Sequence, residues 1–196
     1  MQYNTIIKKI FEDMKGVVST KTLKEYNIPS IYLTRMINSG ELIRVDRGIY
    51  INSEADYDEY YFLSLKSDVP IFSYVSALFL QGFTEIIPQQ MEITVYNGYN
   101  THRINNVVSH HVDKKIYDIG IIEVETPFGN KVKSYDIERT ICDFIKNRNK
   151  IDIELFSKTL NWYVRYSQKD MNKLYNYSKR MNIYKKVKNI LEIIYE

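Results

Sequence analysis

Few side chains in this sequence are spaced for catalysis. His110 and His111 are adjacent within Val107–Val112, which reads as a strand, so they point to opposite faces and cannot share a metal ion. Cys142 is the only thiol. It sits at a helical spacing, where a small buried hydrophobe is its commonest fate. Glu123-x-Glu125 followed by Lys131 loosely resembles a nuclease acid–lysine set, but the spacing is wrong. Neither a phosphate-cradling glycine loop nor a Gly-x-Ser-x-Gly elbow occurs. These residues therefore predict no catalytic site, no metal and no cofactor. The chemistry that does stand out is recognition of nucleic acid by Arg35, Arg44 and Arg47. A guanidinium pairs bidentately with guanine, or meets phosphate.

The first 52 residues hold the elements that must position these arginines. Ile6, Ile7, Ile10, Phe11 and Met14 stripe one helix face, and Gly16 ends it. Val17-Val18 is extended. Ser19 caps a short helix over Thr20–Tyr26, and Asn27-Ile28-Pro29 breaks it. Ser30 is expected to cap a third helix, Ile31–Asn38, with Ile31, Met36 and Ile37 facing inward and Gly40 stopping it. Two short helices joined by a tight turn make a helix-turn-helix. Glu41–Val45 then reads as a strand, Asp46-Arg47-Gly48 as a turn and Ile49-Tyr50-Ile51 as its return. A basic-tipped hairpin directly after the third helix makes the unit a winged helix-turn-helix.

In such a unit the third helix enters the major groove, with Ser30, Tyr32, Thr34, Arg35 and Asn38 as candidates for base contact. Arg44 and Arg47 on the wing would meet phosphates or the minor groove. Lys21 and Lys24 on the second helix would touch backbone. Winged helices also serve as protein-docking modules, so a scaffold remains the alternative, with a nucleic-acid nuclease a more distant one.

The rest of the chain reads as an α+β domain over residues 62–196, after an acidic linker at 53–61. Ser73 is expected to cap a helix over Tyr74–Leu80. Glu92–Tyr96, Val107–Val112, Ile119–Thr126 and Lys131–Lys133 read as strands of a small sheet. From Ser134 the period is helical. Asp136 and Asp152 are candidate caps, and Ser167-x-x-Asp170 resembles a capping box. Arg139 and Asp143, four apart, form the i,i+4 pair of a surface helix.

Charge divides along the chain. Residues 1–52 carry a net +3, residues 53–140 a net −6 and residues 141–196 a net +6. Basic ends suit nucleic-acid contact. No apolar run approaches the ~18 residues of a membrane span, and Met1–Thr5 lacks a signal-peptide pattern. A lone cysteine excludes an internal disulfide framework. The expectation is a soluble cytoplasmic protein with no membrane partner.

Three stretches together resemble the AbiEi antitoxins of the AbiE abortive-infection, type IV toxin–antitoxin systems. They are the winged helix ending in Arg47-Gly48-Ile49-Tyr50, the run Ser73-Tyr74-x-Ser76-Ala77-Leu78, and Thr126-Pro127-Phe128-Gly129 leading into Tyr135-Asp136-Ile137-Glu138-Arg139-Thr140-Ile141-Cys142-Asp143. The resemblance implies an N-terminal domain that represses its own operon on double-stranded DNA at inverted repeats. It implies a C-terminal domain that counters a nucleotidyltransferase-like toxin without a stable complex. The working surface for that second role is expected at Lys185, Lys186 and Lys188, and next around Glu138, Arg139 and Asp143.

Overall fold

The computed structural model describes residues 2–195 and divides into two compact units, Met1–Asp68 and Val69–Glu196. The first contains α1 (Gln2–Asp13), β1 (Val17–Ser19), α2 (Thr20–Glu25), α3 (Ser30–Asn38), β2 (Ile43–Asp46), β3 (Ile49–Ile51) and α4 (Glu59–Lys66). The strands form an antiparallel sheet of order β1-β3-β2. Ile7, Ile10 and Phe11 of α1 pack with Leu23 of α2 and with Leu33 and Met36 of α3. Gly16, at φ +80°, closes the turn between α1 and β1. A Cβ there would lie 2.4 Å from Asn52 Oδ1, so no other residue fits without movement. Ser19 caps α2 by accepting the Thr22 N–H at 3.1 Å.

Three local expectations are corrected in this unit. Pro29, not Ser30, occupies the cap position of α3, and Ser30 is its first helical residue. Proline's fixed φ of −64° leads the chain into the helix with no side-chain cap. Of the expected inward residues only Ile31 faces solvent, at 51% exposure; Met36 enters the core, Ile37 packs against it half-buried, and Leu33 takes the remaining inward position. Nine residues offer room for few inward positions, and Leu33 and Met36, three apart, share one face. The acidic segment 53–61 does not end the first unit. Asp58 caps α4 by accepting the Tyr61 N–H at 3.1 Å, and Phe62 of α4 packs with Val17, Ile49 and Ile51. This apolar face ties the helix to the sheet.

The second unit contains β4 (Ile71–Phe72), α5 (Tyr74–Leu80), β5 (Met91–Tyr96), β6 (Val107–Val112), α6 (Lys114–Tyr117), β7 (Ile121–Glu125) and β8 (Lys131–Tyr135). There follow α7 (Ile137–Lys146), a 3-10 turn (Arg148–Lys150), α8 (Ile153–Arg165), α9 (Met171–Arg180) and α10 (Tyr184–Tyr195). Its five-stranded mixed sheet has the order β6-β5-β4-β8-β7, with β5–β6 and β4–β8 parallel and the other pairs antiparallel. Every residue of α7 from Ile137 to Ile145 is buried. Ile141 and Phe144 share a core with Leu78, Phe156, Leu160, Leu174, Val187 and Leu191. Asp136, Asp152 and Asp170 cap α7, α8 and α9 through their carboxylates. Asp170 is itself the cap of α9, three residues beyond the expected Ser167. Ser73 stands at the cap position of α5, but its Oγ makes no hydrogen bond among the described residues. The next residue, Tyr74, is held at φ +50°.

Candidate nucleic-acid interface

The outward side of α3 follows from its inward side. With Leu33 and Met36 in the core, Ser30, Thr34, Arg35 and Asn38 are exposed and Tyr32 is half-buried. Arg35 makes no ion pair among the described residues. Its guanidinium lies 5.6 Å from the centre of the Tyr32 ring, and Tyr32 in turn packs on Tyr3 of α1 at 4.8 Å. This cation–π contact steadies Arg35 while leaving its N–H donors unspent on acids. Thr34 is less available as a donor, because its hydroxyl donates to the Ser30 carbonyl at 3.3 Å. Tyr32, half-buried, supports Arg35 through its ring.

The wing is a tight hairpin. Ile43 faces Ile51, Arg44 faces Tyr50 and Asp46 faces Ile49, with an irregularity between Arg44 and Asp46. Gly48 adopts φ +78° at its tip. The Gly48 carbonyl accepts both the Thr20 N–H at 2.7 Å and the Thr20 hydroxyl at 3.2 Å. The wing is thereby tied to the start of α2, which carries the exposed Lys21 and Lys24. Arg44 and Arg47 are both exposed. Arg44 spends one donor, its Nε, on the Asp46 carbonyl at 3.2 Å.

A carboxylate on the wing would oppose phosphate, and the fold neutralises it. Lys66 of α4 forms an ion pair with Asp46, whose carboxylate also accepts the Arg47 N–H at 2.5 Å. Burial pushes the Asp46 carboxyl up, but these contacts outweigh it and hold the group below its ordinary range. The charge of Asp46 is thus met by Lys66, leaving the guanidinium of Arg47 free of it. Thr20, Lys66 and Tyr3 hold the candidate residues in place and were missed from sequence. Lys66 is 20 residues from Asp46, and no local pattern connects them.

In the second unit the structure overturns one expected surface. Arg139 is fully buried, and Glu138 and Asp143 nearly so. Arg139 Nε donates to Asp143 Oδ2 at 3.0 Å, and its Nη1 donates to the carbonyls of Ile116 at 2.5 Å and Ile119 at 2.8 Å. The guanidinium also lies 4.1 Å from the Tyr135 ring centre. Glu138 accepts the Asp170 N–H at 3.0 Å. These residues link α7 to the loops around it and form no exposed surface for a macromolecular partner; only Asp143 reaches the lining of a cavity. The amphipathic spacing suggested a surface pair because the partners of Arg139 lie some twenty residues away. Lys185, Lys186 and Lys188 are exposed on α10, with Lys188 3.6 Å from Glu192.

The remaining candidates are accounted for locally. Cys142 is buried, and burial, with the Asp143 charge, pushes its thiol up and away from nucleophilic reactivity. Glu123 and Lys131 form an exposed cross-strand pair at 2.8 Å. His110 is half-buried and His111 exposed on β6. No helix among the described residues is long and apolar enough to cross a membrane.

Residues 6–53, which span the helix-turn-helix and its wing, match a family model described as "Transcriptional regulator, AbiEi antitoxin". No curated protein matches the chain. The crystal structure of the RV2827C protein from Mycobacterium tuberculosis is similar, with a TM-score of 0.64 at 10% identity, covering 95% of this chain and 77% of that one. At that identity the likeness is one of fold. The family that the sequence resembles is therefore the one whose model its N-terminal residues match: the AbiEi antitoxin transcriptional regulators.

Proposed function

We propose that this protein is a sequence-specific DNA-binding antitoxin that represses its own toxin–antitoxin operon. In this reading α3 enters the major groove of double-stranded DNA at inverted repeats and Arg35 reads a base edge. Ser30 and Asn38 border it, Arg44 and Arg47 grip phosphate from the wing, and Lys21 and Lys24 touch the backbone. The second unit counters a nucleotidyltransferase-like toxin without a stable complex, and its exposed Lys185, Lys186 and Lys188 are the working surface. The protein acts in the cytoplasm without catalysis or cofactor.

The observation that carries the proposal is Arg35. It is exposed on a helix whose other side is core, supported by Tyr32, and has no acidic partner among the described residues. The match of residues 6–53 to a regulator family supports the same reading. A gel shift with the DNA upstream of the protein's own gene, with and without magnesium, tests it. A shifted, intact duplex is the expected result. Cleavage would favour a nuclease, and no shift on any upstream fragment would favour a protein-docking winged helix.

A further inference from the structure

We propose that the second unit holds a binding site for a nucleoside phosphate, in a cavity between edge strand β6 and the C-terminal half of α7. The cavity measures about 580 Å³, within the range of small-molecule sites. Its lining residues all belong to the second unit, and it does not rest on the role proposed for α3.

The cavity has a polar floor. Asp143, 2% exposed, lines it. Its Oδ2 is occupied by Arg139, while Oδ1 accepts no hydrogen bond among the described residues. Asn147 Nδ2 donates to the Tyr74 hydroxyl at 2.6 Å and to the Asp143 carbonyl at 3.2 Å, which leaves its Oδ1 as an acceptor. Two acceptor-bearing side chains in one lining are suited to N–H donors, such as the amino group of a nucleobase. A free phosphate would be repelled there.

The cavity also has an aromatic wall. His110 stacks on Tyr74 with ring centres 3.9 Å apart, and its Nε2 is 2.8 Å from Glu92 Oε2. Tyr74 is almost fully buried whereas His110 is half-buried, so the imidazole covers the phenol and offers a flat surface beside the floor. Tyr74 is also the strained residue of this unit's core. Its φ of +50° is unfavourable for a bulky side chain, and such strain concentrates at ligand sites.

The rim carries two lysines and one exposed carboxylate, Asp152, which is engaged at Oδ1 by the Leu155 N–H. Positions 143, 146, 147 and 150 follow one face of α7 into the 3-10 turn. This places Lys146 and Lys150 on the cavity beside Asp143 and Asn147. Both lysines are exposed and form no ion pair among the described residues. A ligand that suits this layout is flat and N–H-bearing at one end and anionic at the other. An organic ammonium would leave the lysines unmatched, and an inorganic anion would leave the floor unmatched.

The test is calorimetric titration of the full chain with ATP, GTP, CTP and UTP separately, beside the parent nucleosides and inorganic tripolyphosphate. At least one nucleotide should bind with Kd below about 1 mM. It should bind about tenfold more tightly than its nucleoside or tripolyphosphate. Replacing Lys146 and Lys150 with alanine should weaken the nucleotide by about tenfold and leave its nucleoside unaffected. Val108→Trp, on an exposed cavity-lining position of β6, should abolish binding of both. Failure of all four nucleotides to bind would overturn the proposal. So would tripolyphosphate binding as tightly as the best nucleotide, or a folded Val108→Trp protein that binds as the wild type does.

Discussion

Arg35 concentrates the DNA-binding account in one side chain. Arg35→Ala should cost about 1–3 kcal/mol at the operator, the worth of a bidentate base contact, while non-specific affinity changes little. Binding curves on the operator and on its point variants would show whether preference relaxes at one base pair. Arg44→Ala and Arg47→Ala should act differently. Each should weaken binding about equally on all sequences and reduce the salt slope by about one unit, as loss of a single phosphate contact does. Titrations over a range of salt concentrations separate the two behaviours. Gly48 tests the wing's support. At φ +78°, a Cβ would lie 3.0 Å from Thr20 Oγ1, so Gly48→Ala should destabilise the first unit by about 1–2 kcal/mol. Urea unfolding would show this as a lower midpoint at unchanged slope. The exposure of Arg35, Arg44 and Arg47 was legible in the sequence, because charged residues between the apolar positions of a short helix or at a hairpin face solvent. Their supports were not, because Tyr3, Thr20 and Lys66 meet them only through tertiary contact.

Among the elements, α7 organises the second unit. Its N-terminal cap, Asp136, also accepts the Tyr177 hydroxyl at 3.0 Å and pairs with Lys173 at 2.9 Å, both from α9. Burial, and then the negative charge of Asp136, raise the Tyr177 hydroxyl from 10.0 to about 12. A group whose pKa is higher when folded contributes its full stability below the unfolded value and loses it as pH rises through the folded one. Stability should therefore fall between pH 10.0 and about 12, and Tyr177→Phe should flatten that fall in denaturation curves taken across this range. Arg139→Ala should be more damaging, since it leaves the buried Asp143 charge unpaired, at a cost of about 3–5 kcal/mol. Thermal unfolding of that variant would measure it. The caps of α7 and α8 could be read from sequence because capping is local: an aspartate followed by a helical stripe is sufficient. The two-residue strand β4 was too short to have a pattern. The burial of Glu138, Arg139 and Asp143 was hidden because i,i+4 spacing looks the same on a surface helix. The cavity was illegible for a related reason, its walls coming from positions as distant as Tyr74, His110 and Lys150.

At the scale of the molecule, the two units predict separable activities. The division at Asp68–Val69 lies beyond α4, so a fragment meant to lack DNA binding should begin near Val69 and not at the acidic segment. Its buried core at Leu78, Ile141, Phe144, Leu160 and Leu191 belongs wholly to the second unit. Such a fragment should protect cells in a toxin co-expression growth assay but fail to repress a promoter reporter. Replacing Lys185, Lys186 and Lys188 with serine in the full chain should impair protection and spare repression, since exposed substitutions rarely shift stability by more than about 0.5 kcal/mol. Sequence-specific DNA recognition through α3 is tested most directly by fluorescence anisotropy of the full chain on its operator and on a scrambled duplex at one salt concentration. The wild type should prefer the operator by about a thousandfold or more, and Arg35→Ala should lose at least about tenfold of that preference while binding the scrambled duplex as before. Equal affinity of the wild type for both duplexes, or an Arg35→Ala protein with the wild-type preference, would contradict the account.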